Sequence, residues 1–342
     1  MIRYACIGAG GIARKKHLQG YSRLPQVELA AICDTNRAAA EALAREYGIP
    51  RVYTDYRELL QVEKPDLVSI CTPNVTHKDI TIAALEQGAC VHVEKPMTMN
   101  AAEAREVLEA QKRTGKLVQV GLNKRFTSAA VLLRRLLEAG YFGEIYHVRC
   151  GWERNSGIPG TGRWFTNRAL SGGGALIDLG VHYLDLGMLA MGWPEPEKAV
   201  GALSGCFLDG GGRIRRGYRS ADGVNDVEDS AAGVVRMKDG KLLEYAFRWA
   251  ANIQKETQYV QGLGTKAGFR LEDDSLVLYT QLGGTMFQML PDEKTLPEPE
   301  NECESVICAM EGSSPCRAPA EEGARIMELI DLIYGASGQW IA

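Results

Sequence analysis

Asp178 and His182 carry the plainest chemistry in this sequence of 342 residues. They stand four residues apart in the run Gly172-Gly173-Gly174-Ala175-Leu176-Ile177-Asp178-Leu179-Gly180-Val181-His182-Tyr183-Leu184-Asp185. Three glycines before an apolar, helix-length segment predict a flexible loop opening a buried helix. On such a helix residues i and i+4 share a face, one above the other, so the carboxylate and the imidazole can act together. Leu176, Ile177, Leu179, Val181, Leu184 and Leu186 leave little room for a solvated face, and a polar pair in that setting needs partners or a task. The plainer alternative is a buried Asp–His hydrogen bond that holds two helices in register. The rest of the chain decides between them.

Lys95 is the third candidate. It follows a short apolar strand in Glu94-Lys95-Pro96, where the proline disfavours helix and holds the lysine extended at the strand tip. A lone lysine is usually solvated, but few solvated lysines end a buried strand. The strand before it, residues 67–71, runs into Thr72-Pro73-Asn74-Val75-Thr76-His77. There Asn74 reads equally well as a helix cap or as a cofactor contact.

The elements that position these residues begin with residues 2–7, a β-type run leading into Gly8-Ala9-Gly10-Gly11-Ile12-Ala13 and a helical pattern through Leu18. This is the G-x-G-x-x-A spacing of a dinucleotide loop. Gly8 permits the tight turn, Gly10 lets the backbone approach a pyrophosphate, Ala13 allows close helix–sheet packing, and the helix N-terminus supplies amide donors. A glycine loop alone is weak evidence. Asp34 strengthens it by ending the strand 27–33 about 20 residues beyond the loop, where an acid binds ribose hydroxyls. Asp34 favours NAD, and Arg37 is near enough to accommodate NADP.

Strands at 51–53, 67–71, 90–93 and 117–121 alternate with helices at 36–47, up to 62, 75–87 and 101–114. Repeated strand–helix units predict a parallel sheet covered on both faces, with the ligand at the carboxyl ends of its strands. After Phe126 a helix at 128–139 leads to strands at 145–153, 199–207, 230–237, 241–249 and 257–263, with a hairpin signal at Lys238-Asp239-Gly240. This predicts a largely antiparallel α+β layer.

The combination of the Gly8–Ala13 loop, Cys33-Asp34, Thr72-Pro73-Asn74 with His77, Glu94-Lys95-Pro96, Gly121-Leu122-Asn123-Lys124-Arg125-Phe126, and Gly172-Gly173-Gly174 with Asp178 and His182 resembles the Gfo/Idh/MocA oxidoreductase family. The resemblance covers essentially the whole chain. It implies an α/β fold, with a doubly wound Rossmann NAD(P)-binding domain at 1–122. An α+β domain at 123–342, with a large, mostly antiparallel open sheet, would serve substrate binding and oligomerisation as a homodimer or homotetramer. It assigns Lys95, Asp178 and His182 to catalysis. Gly8, Gly10, Gly11, Ile12, Asp34, Arg37, Thr72, Asn74, His77, Glu94 and Lys95 go to the cofactor, and Asn123 and Arg125 to the substrate side.

Residues 154–170 form a loop before the catalytic helix. Its Arg154, Arg163 and Trp164 suit a polyhydroxylated ligand, offering donors and a stacking face; anchoring the loop in the core explains Trp164 equally well. The loop 210–220 holds four arginines among glycines and reads as a solvated excursion. Helices near 303–310 and 321–334 are expected to pack on the second domain.

Composition narrows the partners. A net charge of −4 gives no electrostatic footprint for nucleic acid or an anionic membrane. No apolar run is read as approaching the ~18 residues of a bilayer span. The nine cysteines are scattered, without a C-x-x-C pair, so neither disulfides nor a metal site are expected and a reducing, cytoplasmic setting is. The expected chemistry is oxidation of a secondary alcohol of a sugar, sugar derivative or cyclitol. In it His182, with an intrinsic pKa of ~6.5, is the base, Asp178 orients it and Lys95 polarises the oxygen. An NAD-dependent glycosidase and a non-enzymatic nucleotide sensor are the rivals on the same fold.

Overall fold

The structure, a computed structural model, describes residues 1–208 and 223–337, so the loop 210–220 lies outside the described residues. The chain divides into two compact units, Met1–Leu122 with Asn301–Met327, and Asn123–Glu300 with Glu328–Ala342.

In the first unit β1 (Ile2–Ile7), β2 (Val27–Cys33), β3 (Arg51–Tyr53), β4 (Leu67–Ile70), β5 (Cys90–Glu94) and β6 (Val118–Gly121) pair in the order β3-β2-β1-β4-β5-β6. The described pairings are parallel. The order reverses beside β1, and the crevice outside the carboxyl ends of the strands there is where sheets of this kind take ligands. Asn36, Asp55 and Asn100 start helices by accepting from the amides of Ala39, Arg57 and Glu103, and Gly48 and Gly115 end two of them in the left-handed conformation.

The helix Glu302–Met310 departs from expectation. Cys303, Val306 and Ile307 pack into the first unit's core with Tyr4, Cys6, Leu18 and Tyr21, not on the second domain. Gly20 makes room for it, since a Cβ there would lie 2.5 Å from Cys303 Sγ. The division between the units falls within the helix Ala320–Ala336. The expected boundary of 1–122 against 123–342 therefore misses a returning segment of the first unit.

The second unit contains β7 (Ile145–Glu153), β8 (Pro196–Ser204), β9 (Ser230–Met237), β10 (Leu242–Arg248), β11 (Thr257–Gly264), β12 (Ala267–Glu272), β13 (Ser275–Leu282) and β14 (Thr285–Met289). Their order is β14-β13-β12-β11-β7-β10-β9-β8. The β7–β10 pair is parallel, and the other described pairings are antiparallel. Sequence reading missed β12, β13 and β14. Two tight turns join them, Asp273-Asp274 and Gly283-Gly284, with all four residues at positive φ as twist-matched hairpins require.

The helical run that bears Asp178 and His182 lies against β7, β10 and β11. It starts as a π-helical turn, Leu176–Gly180, and continues as the α-helix Val181–Met191. A wider turn of this sort is frequent at functional sites. The stretch Arg168–Met191 has the length and apolarity of a membrane span, with mean hydropathy 1.2, which corrects the expectation that no such run exists. Since 89% of its most apolar window is buried within the fold, its apolarity is that of a core helix.

Candidate active site

The glycine loop of the first unit is shaped by two different demands. Gly8 has φ +102°, and a Cβ on it would lie 2.5 Å from the Cys71 carbonyl oxygen, so the crossing of β4 excludes any side chain. Gly10 and Gly11 are exposed, and a Cβ on either would meet nothing within 4 Å. Their freedom leaves open space in front of the backbone, as the diphosphate of a dinucleotide requires. Ile12 stands 41% exposed at the rim while Ala13 is fully buried. The helix then begins as a π turn over Ala13–Leu18.

Asp34 shapes the same loop. Its carboxylate accepts from the Ala9 amide at 2.7 Å and from the Asn36 amide at 2.8 Å, so it braces the glycine loop. Arg37 is engaged on the surface with Glu41 at 2.8 Å.

At the ends of β4 and β5 the polar residues serve one another. His77 is buried, with Nδ1 2.7 Å from the Pro96 carbonyl and Nε2 2.9 Å from the Thr72 carbonyl, tying together the two turns that carry Thr72 and Lys95. Two carbonyl acceptors suit a doubly protonated ring, whereas burial pulls its pKa down. The Thr72 hydroxyl accepts from Thr76. Asn74 is buried inside its short turn, and the cap positions fall on Pro73 and Thr76. Lys95 is half-buried after β5, and its bond to Pro96 is cis.

Glu94 is not open to a ligand in the way Gly10 is. Its carboxylate lies 2.8 Å from Lys16 Nζ and 2.8 Å from His17 Nε2. Lys16 also pairs with Glu302 at 2.8 Å, Glu302 approaches His92 at 3.2 Å, and His17 reaches Ser69 at 2.8 Å. Burial alone would lower the Lys16 pKa, but Glu302 and Glu94 push it above its ordinary value. Burial pulls His17 down to about 4, with His92 adding to the effect. Glu94 stays well below the carboxylate range despite its burial because Lys16 and His17 hold its charge. No part of this network was foreseen beyond Glu94 itself.

In the second unit His182 is 8% exposed. The Trp152 ring stands 6.0 Å from its imidazole, centroid to centroid. Trp152 is flanked by the Arg154 guanidinium at 4.1 Å and the Lys124 ammonium at 5.8 Å. The Asp178 carboxylate accepts from the Trp249 indole N–H at 2.9 Å, and Trp249 is fully buried. An indole donor lends hydrogen-bond strength to an ionised carboxylate. Imidazole, carboxylate, aromatic face and two cations are thus gathered on β7, the turn before the helix at Ser128–Glu138, and the Leu176–Met191 run. Such a group can move a proton and hold a hydroxylated ligand.

The other nominated substrate residues are more dispersed. Arg125 is buried in a two-bond ion pair with Asp185, with Nε 2.8 Å from Oδ2, and so ties its turn to the helix. Asn123 is exposed at the start of that turn. Arg163 is exposed, and Trp164 stacks on Phe165 with centroids 3.7 Å apart. Trp152, Trp249 and Lys124 are the neighbours that sequence reading missed; Trp152 lies in a strand correctly placed, two residues before Arg154. Among the described residues, no group of three or more His, Cys, Asp or Glu is arranged to hold a metal ion.

Comparison with known proteins bears on the family and the fold. The model of the oxidoreductase family with an NAD-binding Rossmann fold matches residues 2–122, and that of the GFO/IDH/MocA C-terminal domain matches 131–270. D-glucoside 3-dehydrogenase of Escherichia coli (strain K12) is 34% identical over 337 residues, spanning 97% of this chain and 94% of that protein. Among solved structures, an oxidoreductase domain protein from Kribbella flavida superposes with a TM-score of 0.85 at 23% identity, covering 98% and 97% of the two chains. Levoglucosan dehydrogenase in complex with NADH does so with a TM-score of 0.84 at 20% identity, covering 98% and 96%. At those identities the likeness is one of fold. The first unit's glycine loop and parallel sheet, the second unit's large mixed sheet, and matched models over both make this chain a member of the Gfo/Idh/MocA oxidoreductase family, with an NAD-binding Rossmann domain.

Proposed function

We propose that the protein is an NAD-dependent dehydrogenase that oxidises a secondary hydroxyl of a sugar, sugar derivative or cyclitol, with glucosides the first candidates. The observation that carries this reading is the setting of His182, beside Trp152 with its flanking Arg154 and Lys124 and one turn after Asp178. The near full-length match to a D-glucoside 3-dehydrogenase supports the substrate class.

Gly10, Gly11 and Asp34 would hold the dinucleotide, which when bound supplies the hydride acceptor. Asp34, fixed beside the Ala9 amide, would repel a 2′-phosphate, and Arg37 is occupied by Glu41; both support NAD over NADP. His182 takes the proton of the substrate hydroxyl during oxidation and returns it during reduction. Asp178, held by the Trp249 indole N–H, stabilises the charged imidazole. Lys95 donates to the reacting oxygen and favours its alkoxide. Trp152 offers a stacking face, and Arg154 and Lys124 offer donors to ring hydroxyls.

The reading extends to assembly and place. Exposed Leu282, Met286, Phe287 and Leu290 at the β13–β14 edge support a homodimer or homotetramer, and nine free cysteines support a cytoplasmic setting.

The test mixes purified protein with NAD or NADP and a panel of glucosides, aldoses, inositols and sugar acids, following reduced-nicotinamide absorbance. Turnover with one sugar class and NAD is the expected result, and His182→Ala should lower kcat by about 10²- to 10⁴-fold while NAD binding persists. Undiminished turnover in that variant would remove His182 from the proposal. NAD binding with no turnover across the panel would move the case to a sensor, and glycoside cleavage without net reduced cofactor to a glycosidase.

A further inference from the structure

Glu228 lies just before β9, is 0% exposed, and has no part in the chemistry above. Its carboxylate accepts from the Gly174 amide at 3.0 Å, the Leu176 amide at 2.9 Å and the Tyr334 hydroxyl at 2.9 Å. Its backbone carbonyl accepts from the Ala175 amide at 3.0 Å. Two of these partners are backbone amides that can only donate, an arrangement that suits the ionised form; the Tyr334 hydroxyl is the one group that can turn to accept from a carboxyl O–H. Burial raises its pKa, and the Leu176, Tyr334 and Gly174 donors oppose that.

The amides belong to the first turn of the run that carries Asp178 and His182. Helix starts leave N–H groups unsatisfied and favour negative charge. The glycines allow the approach: a Cβ on Gly174 would collide with the Glu228 backbone, and one on Gly173 with the Tyr334 hydroxyl. Outside this layer the Arg168 guanidinium sits 5.4 Å from the Tyr334 ring, and Asp229 is turned away to the Phe207 amide.

We propose that Glu228 is a positioning residue, a built-in anion that fixes the start, and so the rotation and depth, of the helix presenting Asp178 and His182. Its effect on turnover rests on the reading that this pair does the proton chemistry; its role as an internal anion does not.

Glu228→Ala leaves three donors facing the space of a small carboxylate. Its melting temperature should fall below that of the parent and rise in sodium formate, but not in sodium chloride of equal ionic strength or in formamide. In the turnover assay its kcat should drop about 10- to 100-fold with KM for NAD unchanged, and formate should restore part of the loss. If that variant does not fold, Glu228→Gln keeps the shape but turns a donor toward the Gly174 or Leu176 amide, and the same fall in kcat is expected. Parent-like kcat in Glu228→Gln, or equal recovery with formamide and formate, overturns the proposal. A parent protein without dehydrogenase activity defeats the functional reading instead, and formate-dependent melting still decides the anion role.

Discussion

Gly10 and Gly11 of the first unit stand open beyond the crowded Gly8, whereas Gly173 and Gly174, before Leu176 in the second, are filled. Gly10 and Gly11 face space that a ligand's phosphates can enter. Gly173 and Gly174 face Tyr334 and Glu228, parts of the chain itself. Both runs are followed by a π turn and then α-helix, Ala13–Leu18 and Leu176–Gly180. The same composition therefore answers to an external anion in one unit and an internal one in the other. A glycine run marks close approach to a helix start, and only the fold says by what.

Substitutions can break the contrast. Gly174→Ala should cost the second unit more than about 4 kcal/mol, because backbone has to move, and urea unfolding measures it. Melting like that of the parent would mean the filled glycine is not required. In the first unit the corresponding internal charges are Lys16 with Glu94 and Glu302. Lys16→Met should cost about 3 kcal/mol by stranding two buried carboxylates, read by the same unfolding curves.

The titration of the two buried sites sharpens the contrast further, because their signs differ. His17 has a folded pKa of about 4, below its ordinary value, so the folded form binds fewer protons than the unfolded chain. Its contribution is present above about pH 6.5 and is lost as pH falls toward 4, on the order of 3 kcal/mol. Burial raises the Glu228 pKa, so ionising it as pH rises costs the folded state stability, a cost that the amide and Tyr334 donors around the anion partly offset. Melting curves between pH 4 and pH 7, with probes in each unit and with His17→Gln as the control, should show the first unit's acid sensitivity flattened by that substitution. An unchanged slope would assign the sensitivity elsewhere. The smallest effect is expected from Gly10→Ala. Stability should stay within about 0.5 kcal/mol while NAD affinity drops about tenfold by titration calorimetry, since the added methyl fills ligand space alone.

Much of the first unit is legible because its signals are local: a glycine loop after β1, an acid after β2 and turns after β4 and β5. The second unit is legible where the strands alternate, as at Ser230–Met237, and less so beyond β11. There Asp273-Asp274 and Gly283-Gly284 were the available turn signals, while burial fades along the hairpins, from alternate buried residues in β12 to a β14 exposed throughout. Glu228 and Trp249 escape sequence reading for a different reason. Their partners lie 106 and 71 residues away, in Tyr334 and Asp178, and nothing local marks either as part of the helix support. Asp178 and His182 were singled out by spacing and given their role by the rest of the chain and the family resemblance, although the turn between them is wider than the regular α-helix assumed.

The helix Glu302–Met310 has a consequence for biogenesis. Glu302 is a partner of Lys16, and Cys303, Val306 and Ile307 complete the core around Tyr4 and Tyr21. A ribosome releases chain at about 5–20 residues per second, so tens of seconds at the slow end separate the synthesis of Lys16 from that of Glu302. During that interval the nascent Rossmann sheet has a lysine short of one carboxylate and an uncovered apolar face. An excised fragment of residues 1–122 would remain in that state permanently, which makes it a poor cassette for grafting NAD binding onto another protein.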